Sequence, residues 1–235
     1  MTNKALNPES RNYYFQQYQE ILKEVDAKKN KPTLFLHACC GPCLTYPLSE
    51  LIRHFEVTVG FFNPNIQPKE EYEKRLKALE LFLSAYAKDQ GVSIPLVLHE
   101  EDFLAYEKAF ADRINDVEGG EVCLRCHAYR LGLSYHYAAL HHFDYFTTVM
   151  TVSCRKPSRE LNEIAKKLSL LYPETKYLYS DFKKEDGQLK GIQIAKAYHV
   201  YRQNYCGCFV SYKEAMEQRR KNSKFQSENS RTMVG

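Results

Sequence analysis

Short apolar runs alternate with longer amphipathic segments through most of this chain, and this alternation restricts the fold more than any other feature. Residues 33–38 (TLFLHA) predict a buried first strand, and Leu44–Phe55 has the apolar spacing of a helix. Such alternation is typical of an α/β fold, a mostly parallel Rossmann-like sheet with helices on both faces. The same reasoning predicts strands at 57–62, 95–99, 145–152 and 177–179, and helices at 69–88, 103–111, 126–140, 158–170, 191–201 and 211–220.

The two ends of the chain are more polar than its centre. Residues 1–31 predict an N-terminal arm, helical across Tyr13–Lys28, and residues 32–218 predict a single α/β domain. The polar stretch 219–235 predicts a disordered tail. A chain of 235 residues is long enough to bury a core without covalent cross-links.

Composition restricts the cellular setting. The first residues lack the apolar region of a signal peptide, and no apolar run is long enough to cross a membrane. We therefore expect a cytoplasmic protein without a membrane partner. In that reducing compartment, eight cysteines indicate metal binding or redox chemistry rather than disulfides.

Seven of the eight cysteines fall into three groups. Spacing of i,i+3 brings two thiols to one centre, as in zinc knuckles and iron–sulfur loops. The adjacent pair Cys39–Cys40 is expected to project in different directions, which suits thiolates that serve different metals. The groups are Cys39, Cys40 and Cys43; Cys123 and Cys126; and Cys206 and Cys208.

The number of cysteines is compatible with more than one kind of site. A tetrahedral zinc or a cluster needs about four thiolates, so seven ligands imply a second metal or a redox thiol pair. The sequence CGPC at 40–43 also matches the motif of thioredoxin-like oxidoreductases, although the extra Cys39 and the other pairs speak against it. Cys154 stands alone and is expected to be a small buried hydrophobe. No dinucleotide fingerprint or phosphate loop is present, so electrons must enter through metal, thiols or an external donor.

Six stretches together resemble the QueH family of epoxyqueuosine reductases. They follow one another in family order across most of residues 33–212, and their combination is highly specific. One departure is Cys154-Arg155, where the family usually has a proline after the serine. The stretches are HACCGPC at 37–43, FFNPNIQPKEEYEKR at 61–75, EVCLRCHAYRL at 121–131, FTTVMTVS at 146–153, SDFKKEDG at 180–187 and YRQNYCGCFVS at 201–211.

This resemblance implies a reaction, a cofactor and a substrate. The reaction is the two-electron reductive removal of the epoxide oxygen of epoxyqueuosine, giving queuosine at the wobble position of tRNAs with GUN anticodons (Tyr, His, Asn and Asp). The cofactors implied are a 4Fe–4S cluster and an additional nearby iron, without cobalamin. The fold implied is similar to those of adenine-nucleotide α-hydrolases and PP-loop proteins. The external electron donor stays unknown.

The resemblance also suggests roles for the cysteines and for two proton donors. Cys39, Cys123 and Cys126 are expected to hold the cluster, with Cys43 as a possible fourth ligand. The remaining ligands, Cys40, Cys206 and Cys208, would hold the second iron, where Cys40 belongs to the catalytic set. Asp181 and His37 are candidate proton donors; the alternatives are a turn cap for Asp181 and a hydrogen-bonded strand end for His37.

Substrate contacts are expected within the same motifs. Basic residues suit anticodon-loop phosphates, aromatic residues suit stacking on splayed bases, and the Asn-Pro turn with its following helix would shape the pocket. The alternatives are solvated charges, core aromatic residues and a purely structural turn. A thiol–disulfide oxidoreductase and a zinc-structured tRNA-binding module remain rival functions. The candidates are Arg130, Lys183, Lys184 and Arg202 for phosphates, Tyr201 and Tyr205 for stacking, and Asn63, Asn65, Glu71, Tyr72 and Arg75 for the pocket.

Overall fold

A five-stranded, all-parallel sheet forms the centre of the protein. The computed structural model describes residues 6–100, 103–113 and 116–232. The strand order is β3-β2-β1-β4-β5, so the first strand lies in the middle and the chain winds outward in both directions. The predicted α/β class is confirmed. The strands are β1 Thr33–His37, β2 Glu56–Phe61, β3 Leu96–Leu98, β4 Tyr145–Thr148 and β5 Lys176–Tyr177.

Helices connect these parallel strands and pack around them. Two groups contact one another closely, α2 with α3 and α7, and α5 with α6. None of the helices in the described residues combines the length and apolar character needed to cross a bilayer. The helices are α1 Tyr13–Asp26, α2 Gly41–Leu51, α3 Lys69–Gln90, α4 Phe103–Phe110, α5 Glu121–Leu140, α6 Ser158–Ser169, α7 Gly187–Ala197 and α8 Phe209–Thr232.

Strand β1 is buried on both faces, as its continuous apolar sequence requires. Leu34, Phe35 and Leu36 are fully buried, and β1 pairs with β2 on one side and with β4 on the other. Gly60 lies in β2 because a Cβ there would come within 2.2 Å of the Phe35 ring. The aligned register brings the carboxyl ends of β1, β2 and β4 to one edge, where His37 lies beside Thr148.

Several element boundaries differ from the predictions, among them both ends of α2, which was expected at 44–55 and runs from Gly41 to Leu51. The strand expected at 145–152 ends at Thr148, because the Thr148 hydroxyl accepts a hydrogen bond from the Met150 amide and starts a 3₁₀ turn over Val149–Val152. Helix α5 begins at Glu121 rather than at residue 126, so both cysteines of the second group lie on its first turns. Helix α7 begins at Gly187 and ends at Ala197, four residues earlier than expected at each end.

The two ends of the chain also carry helices. Tyr18 and Val25 of α1 are buried in the core, and the Tyr18 ring meets Phe182 edge-on at 5.6 Å. At the other end, α8 continues through Thr232, where the sequence predicted a disordered tail from residue 219. A polar stretch rich in Lys, Arg, Gln and Glu suits an exposed helix as well as disorder, since these residues favour helix. Residues 233–235 and 1–5 lie outside the described residues.

Candidate metal centre

The first cysteine group lies at the junction between β1 and α2. The Ala38 amide donates to the Gly60 carbonyl at 2.8 Å and extends the sheet pairing one residue past β1. Cys40 has an extended backbone and precedes α2, whose first turn contains Pro42. Proline suits this position because the first helical N–H groups have no intrahelical partner. The junction therefore turns sharply and places residues 39–43 at the carboxyl edge of the sheet.

The three thiols of this group converge on one point. The Sγ atoms of Cys39, Cys40 and Cys43 all lie within 4.8 Å of one another, and the first two are 3.9 Å apart. The expectation that Cys39 and Cys40 project apart is wrong, because the chain turns into α2 directly after Cys40. Hydrogen bonds from the Cys40 and Cys43 thiols hold the pKa of Cys39 well below its usual range, while donating to Cys39 raises the pKa of Cys40 to about 12. A thiolate flanked by two thiols fits soft-metal ligation.

The second group lies on the first turns of α5. The Gly119 amide donates to Cys123 Sγ at 3.2 Å, and the Tyr106 hydroxyl donates to Cys126 Sγ at 3.1 Å. Burial raises the pKa of Cys123, and it raises the pKa of Cys126 to about 11. Both thiols are therefore neutral without a metal and release protons when they bind one.

The third group follows a loop that leads into α8. Cys208 Sγ lies 3.4 Å from the Ser211 hydroxyl, and burial raises its pKa. Negative charge at Cys206 or Cys208 raises the pKa of both Cys123 and Cys126, so the second and third groups lie within electrostatic reach of one another. The late cysteines therefore fold back toward the start of α5 and its two cysteines.

A cavity of about 890 Å³ joins the three groups. Cys43, Cys123 and Cys206 all line it, one from each group. None of these cysteines forms a disulfide. The donor set of free thiols, one of them with a lowered pKa, fits an iron–sulfur or thiolate-bound metal centre.

His37 lies beneath the first cysteine group with both ring nitrogens in hydrogen bonds. Nε2 is 3.3 Å from the Phe62 carbonyl and must carry the proton, since a carbonyl only accepts; Nδ1 then accepts from the Thr148 hydroxyl at 2.9 Å. Burial lowers the pKa of His37 to about 3, so the ring is neutral. This geometry matches a hydrogen-bonded strand end, and the proton-donor role stays a prediction.

Asn63 connects the first cysteine loop to the helix that carries the second group. Its Nδ2 donates to the Ala38 carbonyl at 2.9 Å, and its Oδ1 accepts from Arg130 Nη2. Asn63 and Arg130 are both buried. Arg130 was expected at a substrate phosphate. It lies instead inside the protein, where it helps to hold α5 against the first cysteine loop.

Asp181, Lys183 and Lys184 form a turn beside this edge. Lys183 Nζ lies 3.2 Å from Asp181 Oδ1 and donates to the Thr151 carbonyl at 3.1 Å. The Lys184 amide donates to the Asp181 carbonyl at 3.0 Å. Lys183 is therefore occupied by protein partners, and Asp181 is nine-tenths buried beside it.

The aromatic and pocket candidates divide between packing and the cavity. Tyr72 packs against Phe61 and Phe103, so it belongs to the core. Tyr205 and Arg202 line the cavity, and Arg202 is exposed. The remaining candidates, Asn65, Glu71, Arg75 and Tyr201, surround the loop that carries the third cysteine group.

Lys156 and His127 also line the cavity, although the sequence analysis did not select them; the same holds for Arg155 and Lys196. Burial acts to lower the pKa of Lys156, but negative charge at the neighbouring cysteines, first of all the Cys39 thiolate, outweighs burial and raises this pKa. His127 is 4% exposed, and its Nδ1 has no hydrogen-bond partner among the described residues. The sequence offered one signal for each residue. Lys156 lies just after the matched stretch that ends in TVS, and His127 directly follows Cys126.

The mouth of the cavity is positively charged. The described residues that line it include four cations and one carboxylate. The cations are Arg155, Lys156, Lys196 and Arg202, and the carboxylate is Glu118. The prediction that Cys154 is a buried hydrophobe is wrong: this thiol is exposed at the same cavity and accepts a hydrogen bond from Gln188 Nε2 at 3.3 Å. The charge balance favours a polyanionic ligand.

Comparison with known proteins gives consistent matches over most of the chain. The protein is 33% identical over 210 residues to the epoxyqueuosine reductase QueH of Streptococcus pyogenes serotype M1, covering 88% of this chain and 81% of the relative. It is 32% identical over 220 residues to the QueH of Staphylococcus epidermidis, covering 92% and 90%. A solved structure, the U34-tRNA thiolase NcsA from Methanococcus maripaludis with its [4Fe-4S] cluster, overlaps with a TM-score of 0.47 at 14% identity, over 86% of this chain and 69% of that one.

A protein-family model also matches most of the chain. The model described as epoxyqueuosine reductase QueH spans residues 34–214, from the first strand to the beginning of the last helix. That span contains all seven cysteines of the three groups and the cavity that joins them. The chain belongs to the epoxyqueuosine reductase QueH family.

Proposed function

We propose that this protein reduces the epoxide of epoxyqueuosine in tRNA to the alkene of queuosine. The observation that carries the proposal is the convergence of the Cys39, Cys40 and Cys43 thiols within 4.8 Å beside a basic cavity, in a chain of this family. The relatives named above carry the same activity in their names. The substrate position is the wobble nucleotide of the GUN-anticodon tRNAs for Tyr, His, Asn and Asp, and the reaction takes place in the cytoplasm.

We further propose a metal centre of a 4Fe–4S cluster and an additional iron. When bound, this centre supplies electrons and a Lewis acid for the epoxide oxygen. The close spacing of Cys39, Cys40 and Cys43 supports their acting as one ligand group. The electrostatic link of Cys123 and Cys126 to Cys206 and Cys208 supports a second ligand group formed by these four cysteines.

The chain's own cations are suited to hold the substrate. Arg155, Lys196 and Arg202 are exposed at the cavity and suit the phosphates on either side of the target nucleotide. A cavity of about 890 Å³ is large enough for one modified base, and the wobble base lies in a single-stranded loop from which it can enter such a pocket.

Proton supply completes the chemistry. Breaking the two epoxide C–O bonds and forming the C=C bond consumes two electrons and two protons and releases one water. Lys156 lines the cavity and its raised pKa keeps it protonated, so it is suited to donate a hydrogen bond to the departing oxygen. His37 and Asp181, the candidates from sequence, are both held by protein partners.

The test is anaerobic reconstitution with iron and sulfide, followed by a reductase assay. Epoxyqueuosine-containing tRNA is incubated with the reconstituted protein and a chemical reductant, and the digested nucleosides are separated by mass spectrometry. We expect a brown protein with more than four irons per chain and conversion of epoxyqueuosine to queuosine. Iron-loaded protein that binds the tRNA and leaves the epoxide intact would refute the proposal.

A further inference from the structure

The loop that carries Cys206 and Cys208 has no regular secondary structure, and its position depends on contacts with other segments. Arg75 of α3 provides two of these contacts. Its Nη1 donates to the Cys206 carbonyl at 2.8 Å and its Nη2 donates to the Tyr205 carbonyl at 3.1 Å. The guanidinium also lies over the Tyr205 ring, 5.0 Å from its centroid. One side chain therefore holds two successive residues of the loop.

Glu71, one helical turn earlier, orients Arg75. Its Oε1 accepts from Arg75 Nε at 2.8 Å, and its Oε2 accepts from the Tyr201 hydroxyl at 3.1 Å. Arg75 is 1% exposed, so this is a buried, charge-assisted arrangement in which geometry is tightly fixed. The pair Glu71–Arg75 thus contacts the loop at Tyr201, Tyr205 and Cys206.

The turn before α3 also contacts this loop. The Gln67 amide donates to the Gly207 carbonyl at 2.7 Å, and the Tyr205 hydroxyl donates to the Gln67 carbonyl at 2.5 Å. Gly207 has a φ of +134°, and a Cβ there would lie 3.0 Å from Arg75 Nη1. The close approach leaves little freedom for the residue between the two cysteines.

We propose that Glu71 and Arg75 are positioning residues that fix the thiols of Cys206 and Cys208 for metal binding, and that they do not contact the substrate. The proposal rests on the proposed function only in taking these cysteines as metal ligands. Tyr205 and Cys206 line the cavity, whereas Glu71 and Arg75 are not among the described residues that do. Each nitrogen of the guanidinium already donates to a protein oxygen.

The test compares cysteine reactivity in metal-free protein. Arg75→Gln and Glu71→Gln are pulse-labelled with N-ethylmaleimide, and labelling at each cysteine is followed by peptide mass spectrometry. We expect Cys206 and Cys208 to react about tenfold faster, because loss of charge-assisted hydrogen bonds favours local opening of the loop. Labelling of Cys39 and Cys43 provides the internal standard and should not change.

A matched control and a conservative variant sharpen the result. Lys77→Gln removes an exposed cation from the same helix, where Lys77 pairs with Glu80 at 3.7 Å, and should leave all labelling rates unchanged. Arg75→Lys keeps the charge beside Glu71 but not the two-carbonyl contact, so it should restore only part of the protection. Glu71→Gln is the milder variant and keeps the test valid if Arg75→Gln fails to fold.

Iron content gives the second readout. After anaerobic reconstitution, Arg75→Gln should bind less iron per chain than Lys77→Gln at equal folded fraction. Unchanged labelling of Cys206 and Cys208, or equal acceleration at all cysteines, would overturn the proposal. The labelling pattern needs no turnover, so a wild-type protein without reductase activity would refute the proposed function and leave this inference standing.

Discussion

Replacement of Asn63 by alanine should destabilise the metal-free protein strongly and weaken the metal site. Asn63 is fully buried and bridges the Ala38 carbonyl to the Arg130 guanidinium. Losing a hydrogen bond to a charged group costs about 1.5–3 kcal/mol, and leaving the Ala38 carbonyl unpaired adds about 1–3 kcal/mol. We expect a loss of about 3–5 kcal/mol, which lowers the melting temperature by about 6–20 °C in a chain of this size.

The assay is urea unfolding of metal-free Asn63→Ala followed by circular dichroism, with iron content measured after anaerobic reconstitution. Asn162→Ala is the matched control, because Asn162 is also fully buried and donates to the Ser158 and Ser180 carbonyls at 2.7 and 2.8 Å. Its partners are neutral and lie away from the cysteines, so we expect a loss of about 2–4 kcal/mol. At equal folded fraction, only Asn63→Ala should lower the iron content.

Two outcomes would refute this reasoning. A loss below about 1 kcal/mol for Asn63→Ala would mean that Arg130 finds another partner or reaches water, so that the bridge contributes little. An equal loss of iron in both variants would mean that the metal site responds to general destabilisation. In either case, the connection between the first cysteine loop and α5 would not depend on Asn63.

Four further changes test other parts of the site and the core. Gly207→Ala should cost about 1–3 kcal/mol, measured by urea unfolding, because alanine is strained at a φ of +134° and its Cβ would crowd Arg75. Cys206→Ser should lower total iron and abolish reduction, while tRNA binding, measured by filter retention, persists. Cys154→Ala should leave iron content and turnover near wild type, and loss of the cluster in this variant would contradict that expectation. Burial raises the pKa of Tyr46 to about 12 from 10.0, so its contribution to stability is present below pH 10 and is lost as the pH rises toward 12. The urea midpoint should fall over that range, and Tyr46→Phe should reduce the slope; an identical slope in the variant would exclude Tyr46 as the cause.

The sequence predicted the fold class and nearly all elements because strand and helix periodicities are local properties. It failed where a local group competes with the periodicity. The run at 145–152 is rich in Thr and Val and has strand propensity, yet the Thr148 hydroxyl captures the Met150 amide and ends the strand. Helix α5 was predicted five residues too short because its first turn holds cysteines whose spacing, rather than helix propensity, was the dominant signal.

The cysteines of the site could be identified from the sequence, but the polar residues around them could not. Arg130 was expected at a phosphate because it is a basic residue within a matched motif, and Arg75 was expected to shape the pocket because it follows the Asn-Pro turn. Each is instead 1% exposed and paired with groups 131 and 67 residues away, Cys206 and Asn63, which no local pattern indicates. Lys156 was missed because its proximity to thiols of the first and third groups exists only in the folded chain.

The two buried arginines each hold a different cysteine group in position. Arg130 fixes α5, with the second cysteine group, to the loop after β2 through Asn63, and Arg75 fixes the third group to the helix after the same loop. The loop at 63–68 therefore contacts all three cysteine groups, directly or through one arginine, although it contains no cysteine. A buried cation is strongly destabilising once its partner is lost. We therefore expect each of these two arginine contacts to be either intact or completely broken. A change in this loop should consequently displace more than one cysteine group, whereas replacing a single cysteine removes one ligand and leaves the others in place.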